Sequence, residues 1–199
     1  MLNERFTRLV NRQTQRGTTL LEVLVTIVIL TFGLLGLAGL QGQVLLAESE
    51  SFQRAQAILM MNDMIDRIAI NRSNAATYVR ASPVGTGDSL GSFCGAVTSS
   101  SPAVVSDTCD WRNTLRGASE GGGASKGSIV GGRGCIELVT AENAAAGVCT
   151  PGVYRVTVAW QGASTLSIPV ATCGAGSYGD DRYRRAVSSQ VSIGLPTCQ

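Results

Sequence analysis

The chain has no histidine anywhere in its 199 residues. That excludes a Ser-His or Cys-His nucleophile pair and the common His-containing zinc sites. Cysteine occurs six times but never as a CxxC pair, so a thiolate metal knuckle lacks its usual spacing. Proline is scarce and is missing altogether from Thr18 to Ser82, so nothing in that stretch forces a helix to break. An excess of one charge is missing as well. The formal net charge is +2, but residues 1–17 hold four of the 16 basic residues and one of the 14 acidic ones, which leaves 12 basic and 13 acidic beyond them. A near-neutral chain offers no basic patch for nucleic acid, and no direct nucleic-acid partner is expected. With no paired-carboxylate motif either, the chain does not read as an enzyme, and no catalytic residue, cofactor or metal is assigned.

What is present begins with one long apolar run. From Leu20 to Leu40 every residue is apolar, Gly or Thr except Glu22. These 21 residues, at a rise of about 1.5 Å each, are enough helix to cross a bilayer core. Arg5, Arg8, Arg12 and Arg16 precede the run against Glu4 alone, a bias that holds this end in the cytoplasm. A carboxylate inside an apolar span costs a few kcal/mol without a partner, so Glu22 is a functional candidate.

Basic leader, Gly17, then Glu22 five residues on at the start of the apolar run: this resembles the class III signal of type IV pilins and pseudopilins. The resemblance implies that a prepilin peptidase cuts between Gly17 and Thr18 and methylates the new Thr18 amine, leaving the apolar helix on the mature chain. A secretory signal would instead be cut after its apolar region. The residue after Gly17 is Thr18 where the family most often has Phe or Met. A free α-amine, such as cleavage would give Thr18, titrates at about 8 in an unstructured peptide, and Glu22 lies one helical turn along the same face. In subunits packed with an axial stagger, Glu22 of one can meet the Thr18 amine of the next, which makes Glu22 the expected assembly carboxylate. The plainer alternative is a signal-anchor whose Glu sits near the interface.

Helical periodicity continues past Leu40. Ile58, Met61, Ile65 and Ile68 mark the expected buried stripe, with Phe52, Ala55 and Leu59 on adjoining faces and Glu48, Glu50, Arg54, Asp63, Asp66 and Arg67 on the solvated side. One helix from about Thr18 to Asn71 follows. Gly33, Gly36, Gly39 and Gly42 recur every third residue and either permit close helix packing or weaken the helix locally.

Beyond Asn71 the texture turns to Gly, Ser, Ala and Thr, and about 125 residues suit one modest domain. Tyr78–Gly91 reads as a connector, Asp110–Leu115 as a short helix with Trp111 and Leu115 on one face, and Gly117–Lys126 as a flexible loop. Strands are expected at Ser128–Val130, Cys135–Thr140, Val153–Gln161, Leu166–Ala171 and Arg185–Ile193, with the alternating Tyr154–Trp160 segment packed on the long helix. Gly174–Gly179 fits GxGxxG, but Asp180-Asp181-Arg182 follows it in place of an apolar helix, so it reads as a loop. Asp180 with Asp181, and Asp107 with Asp110, lack the spacing of a Ca²⁺ loop.

Cys94, Cys109, Cys135, Cys149, Cys173 and Cys198 all fall in this domain, an even set on the translocated side that reads as a disulfide framework. Of fifteen possible pairings, nearest-neighbour bridges 94–109, 135–149 and 173–198 are preferred. Each would close a loop of roughly 15 to 26 residues, worth about 3 kcal/mol.

The Thr18–Val25 segment, followed by Gly33–Gln41, is similar to the PilV-type minor pilins, as are the strand at Tyr154–Trp160 and the terminal strand from Tyr183. That resemblance implies an α+β pilin-like lollipop, a long N-terminal helix packed on a small antiparallel sheet head with disulfides. The division would be a cytoplasmic leader (1–17), a transmembrane and filament-core half-helix (18–41), an amphipathic half-helix (42–72) and a periplasmic or extracellular head (73–199). It also implies a structural subunit that helps initiate pilus assembly at or near the tip and supports twitching motility and adhesion. Its partners would be the prepilin peptidase, the inner membrane, other minor and major pilins through the N-terminal helix, the pilus assembly platform and a tip adhesin. The place would be the inner membrane, as a single-pass protein with a cytoplasmic N-terminus, and then the pilus. Two rivals share parts of this pattern: a minor pseudopilin of a type II secretion system and a signal-anchored periplasmic binding domain.

Overall fold

A computed structural model describes residues 17–117, 129–145 and 148–194. Two compact units divide the chain between Leu45 and Leu46. In the first, α1 begins at Leu20; this helix runs unbroken through Ile70 over 51 residues, as the missing prolines predict. Thr19 starts it: its carbonyl accepts the N–H of Glu22 at 3.0 Å and that of Val23 at 3.3 Å.

The second unit is α+β. After α1 come a 3₁₀ segment (Arg72–Tyr78), β1 (Val84–Gly85), α2 (Gly91–Gly95), α3 (Ala103–Arg116), β2 (Arg133–Thr140), β3 (Gly152–Gln161) and β4 (Arg184–Ile193). The four strands form one antiparallel sheet in the order β1-β2-β3-β4. Period-two alternation sends Tyr154, Val156, Val158 and Trp160 to the face that joins Ala57, Met60, Met61, Met64 and Ile68 of α1, with Trp111 and Leu115 of α3, in one core. The other face carries a smaller cluster of Cys135, Ala159, Cys173 and Tyr178. Trp111 is wholly buried and packs where Gly134 has no side chain: a Cβ there would lie 2.1 Å from its ring. Its indole N–H donates to the Met60 carbonyl at 2.8 Å, tying α3 to α1.

Several expectations need correction. The buried stripe of α1 is Gln53, Ala57, Met60, Met61, Met64 and Ile68, so Met61 and Ile68 fall where expected, Ile65 is half-buried, and Ile58 is exposed. A methionine-rich seam beside a small alanine packs the sheet more closely than the isoleucine stripe would, since thioether chains fill irregular gaps. Nor is the charged side of α1 all solvated. Glu50 accepts from Arg185 at 3.1 Å and from Ser164, while Arg67 pairs with Asp63 at 3.0 Å and with Asp107 at 2.9 Å.

The short helix expected at 110–115 is the end of the longer α3, which starts directly after Pro102 and stops at Gly117 in the left-handed region. Residues 118–128, and so most of the expected Gly117–Lys126 loop, lie outside the described residues, as does Ser128. Ile129 and Val130 form a bend and turn rather than a strand. Leu166–Ala171 is not a strand either. Pro169 has no N–H for a ladder, and the carbonyls of Pro169, Ala171 and Cys173 are gathered by the buried Arg184 guanidinium instead.

Of the disulfides, Cys94–Cys109 joins α2 to α3 as nearest-neighbour pairing predicts. Cys135 bonds Cys173, which replaces both the expected 135–149 and the expected 173–198 bridge. Register gives the reason: Cys135 sits opposite Thr157 in the ladder, and Cys149 lies before the start of β3 at Gly152, beyond the other end of that pairing. Cys149 is also disulfide-bonded, and Cys198 lies outside the described residues.

Candidate processing and assembly site

The residues singled out at the N-terminus fall at the start of α1. Gly17 and Thr18 are exposed and lie ahead of the helix, outside any helix or strand, and no atom comes within 4 Å of where a Cβ on Gly17 would sit. Glu22 is exposed in the first turn. Its N–H also lies 3.3 Å from the Thr19 hydroxyl oxygen, which accepts from it. Thr19-Leu20-Leu21-Glu22 is thus the Thr-x-x-Glu pattern of a capping box, a local signal that the charge-pairing argument overlooks. It gives Glu22 a local task at the start of the helix: a negative charge near a helix N-terminus is worth about 0.3–1 kcal/mol.

The helix beyond Glu22 is apolar and bare. Leu20 is 86% exposed, Phe32 72% and Leu35 73%, and the stretch is long and apolar enough to cross a membrane. Gly33, Gly36, Gly39 and Gly42 have open space where a Cβ would be, and α1 passes through all four without a break. The four glycines leave a shallow strip on which another helix could lie close.

In the head, the acidic pairs considered for Ca²⁺ are engaged with cations. Asp107 accepts from Arg67 and from the Tyr78 hydroxyl at 2.5 Å, and Asp110 is 3.5 Å from Arg67. Asp180 pairs with Arg182 at 2.6 Å, which holds its carboxyl below the usual range, and Asp181 lies 3.5 Å from Arg184. No group of three metal-ligating side chains occurs among the described residues. Burial, helped by the bond to Asp107, pushes the Tyr78 phenol up to about 12. Burial does the same for Tyr178, against the pull of Arg133. Burial raises Glu50, but Arg185 and the hydrogen bonds from Ser164 and Ala163 outweigh it and hold this carboxyl below its ordinary value. These are groups fixed in one charge state around neutrality, suited to bracing a fold.

Sequence reading missed the most buried ion pair. Arg112 of α3 donates its Nε to both oxygens of Asp88, at 2.7 and 2.9 Å, with the two side chains 7% and 4% exposed. Asp88 also accepts the N–H groups of Gly85 at 2.8 Å and Leu90 at 3.3 Å. The turn chemistry around Asp88 was visible, but a partner 24 residues away has no local signal.

Two family descriptions match the chain. The prokaryotic N-terminal methylation motif matches residues 12–38, and type IV pilin Tt1218 matches residues 39–102. No curated protein and no solved structure matches it. A methylation motif over the apolar helix implies processing by a prepilin peptidase and assembly with other pilins, and it fits anchoring in the membrane followed by incorporation into a pilus.

Proposed function

We propose that this type IV pilin-like protein is a minor pilin, a structural subunit that takes part in initiating pilus assembly at or near the tip. The observation that carries the reading is the methylation-motif match over residues 12–38, which spans Gly17, Thr18 and Glu22 at the start of a 51-residue helix. In this reading the peptidase cuts after Gly17 and methylates Thr18, and the amine of one subunit neutralises Glu22 of its neighbour. Phe52 at 56% and Leu59 at 61% exposure keep apolar surface on α1 that the head does not use, and neighbouring helices in a filament would cover it. The head carries no catalytic task; its disulfides and buried ion pair give rigidity at the end of a filament, for adhesion and twitching.

The test compares Glu22→Ala with Glu22→Gln. Glutamine keeps a capping-box side chain and loses the charge. Both variants are expected to insert in the membrane and to be excluded from sheared filaments. Normal incorporation of Glu22→Gln would refute the charge-pairing role and leave Glu22 as a helix cap. Mass spectrometry of the N-terminal peptide locates the subunit: a methylated Thr18 in sheared filaments places it in a surface pilus, and the same terminus confined to membranes favours a pseudopilin.

A further inference from the structure

A cleft of about 640 Å³ opens between the Val79–Leu90 connector and the start of β2. That volume is in the range of small-ligand sites. Arg80 and Arg133 line it, both half-buried. Backbone pairing sets them there: the Arg80 N–H donates to the Ile136 carbonyl at 3.2 Å, and Arg133 opens β2 opposite Gly85.

The charge balance of this cleft is uneven. Its only acidic lining residue is Asp88, whose oxygens are taken by Arg112 and by two backbone N–H groups. Arg80 and Arg133 form no ion pair among the described residues. The Nε of each is buried and has no hydrogen-bond partner among the described residues. The Arg133 guanidinium carbon lies 5.8 Å from the centre of the Tyr178 ring, within cation–π range. Gly87, at φ +77°, keeps the wall beside it bare, since a Cβ would come within 3.1 Å of an Arg133 Nη atom. Two half-buried guanidinium groups with no carboxylate partner among the described residues favour an anion beside them, and guanidinium forks match planar or tetrahedral oxyanions.

We propose that this cleft binds an oxyanion, a carboxylate or phosphate group, through the guanidinium groups of Arg80 and Arg133. Ser82 and Ser89 in the lining offer further donors. This site is separate from the N-terminal assembly residues and does not depend on the reading of Gly17, Thr18 and Glu22.

The test uses the full chain in neutral detergent micelles with disulfides oxidised, titrated with succinate and, separately, inorganic phosphate at constant ionic strength set by chloride. Saturable stabilisation by succinate alone assigns a carboxylate ligand, by phosphate alone a phosphate ligand, and by both a general oxyanion site. Arg133→Gln and Arg80→Gln should each weaken the response at least tenfold, and Arg155→Gln, on β3 and paired with Glu137 at 3.4 Å, should not. A second measurement needs no variant: phenylglyoxal labelling mapped by peptide mass should slow at Arg80 and Arg133 when the anion is present, and not at Arg155. No saturable effect of either anion over chloride, or equal protection of all three arginines, would overturn the proposal.

Discussion

Replacing Asp88 by alanine tests whether the head is braced by its buried ion pair. The Arg112 side chain is 7% exposed, so loss of Asp88 leaves a cation with little access to water. Removing one partner of such a pair costs about 3–5 kcal/mol, and the Gly85 N–H, bonded at 2.8 Å, would be stranded for about 1 kcal/mol or more besides. The sum for Asp88→Ala is about 4–6 kcal/mol, a large share of the roughly 5–15 kcal/mol that holds a domain together. Arg112→Met should cost less, about 3 kcal/mol, because the remaining carboxylate keeps both backbone N–H groups as donors. Urea unfolding of the full chain in micelles, followed by tryptophan fluorescence, reads the difference. Trp111, beside Arg112, and Trp160 are 0% and 3% exposed and both report on this core. An Arg112→Met cost equal to or above that of Asp88→Ala, or a cost under about 1 kcal/mol for both, would refute the reasoning.

Three further outcomes are expected. Removing the bridges one at a time by paired Cys→Ser substitutions should destabilise the head more for Cys135–Cys173, with a separation of 38, than for Cys94–Cys109, with 15, by about 4 against about 3 kcal/mol in the same urea assay. Gly134→Ala should cost about 1–3 kcal/mol because its Cβ would overlap the Trp111 ring, and a silent substitution would mean that the indole can shift. Because the Tyr78 and Tyr178 phenols titrate near 12 when folded against 10.0 unfolded, their contribution is complete below pH 10 and is lost as pH rises toward 12. Thermal midpoints at pH 9, 10 and 11 should fall, and fall less in a Tyr78→Phe/Tyr178→Phe variant; parallel slopes would count against that linkage.

The long helix was legible because its signals are local: a run of apolar residues, a helical periodicity past Leu40 and no proline. The strands at 133–140, 152–161 and 184–193 were legible because alternation repeats every two residues, which needs no knowledge of a partner. What failed was whatever depends on a distant neighbour. Ile58 carries more hydrophobicity than Met60 or Met64, yet the sheet chose the methionine face, and only the tertiary contact decides that. Leu166–Ala171 has strand-like composition, but Arg184 claims its carbonyls from another element. Cys135 and Cys149 are close in sequence and far apart along a hairpin arm, so sequence distance misled the pairing. At the candidate site, Glu22 stood out as a lone carboxylate in an apolar run and Gly17 and Thr18 through the resemblance of the leader to a class III signal, whereas Arg80 and Arg133 line one cleft from positions 53 residues apart in the numbering.

The order of strands in the sheet is also their order of synthesis. In a head delivered across a membrane in chain order behind an anchored α1, each arriving strand finds its ladder neighbour already there, and no edge waits for a strand made much later. The Cys94–Cys109 ring can close while β2 is still to come. The Cys135–Cys173 bridge encloses the whole of β3 and forms only after that strand has passed through. A molecule halted between delivery of Cys109 and delivery of Cys173 would therefore be able to carry the first bond and would lack the second.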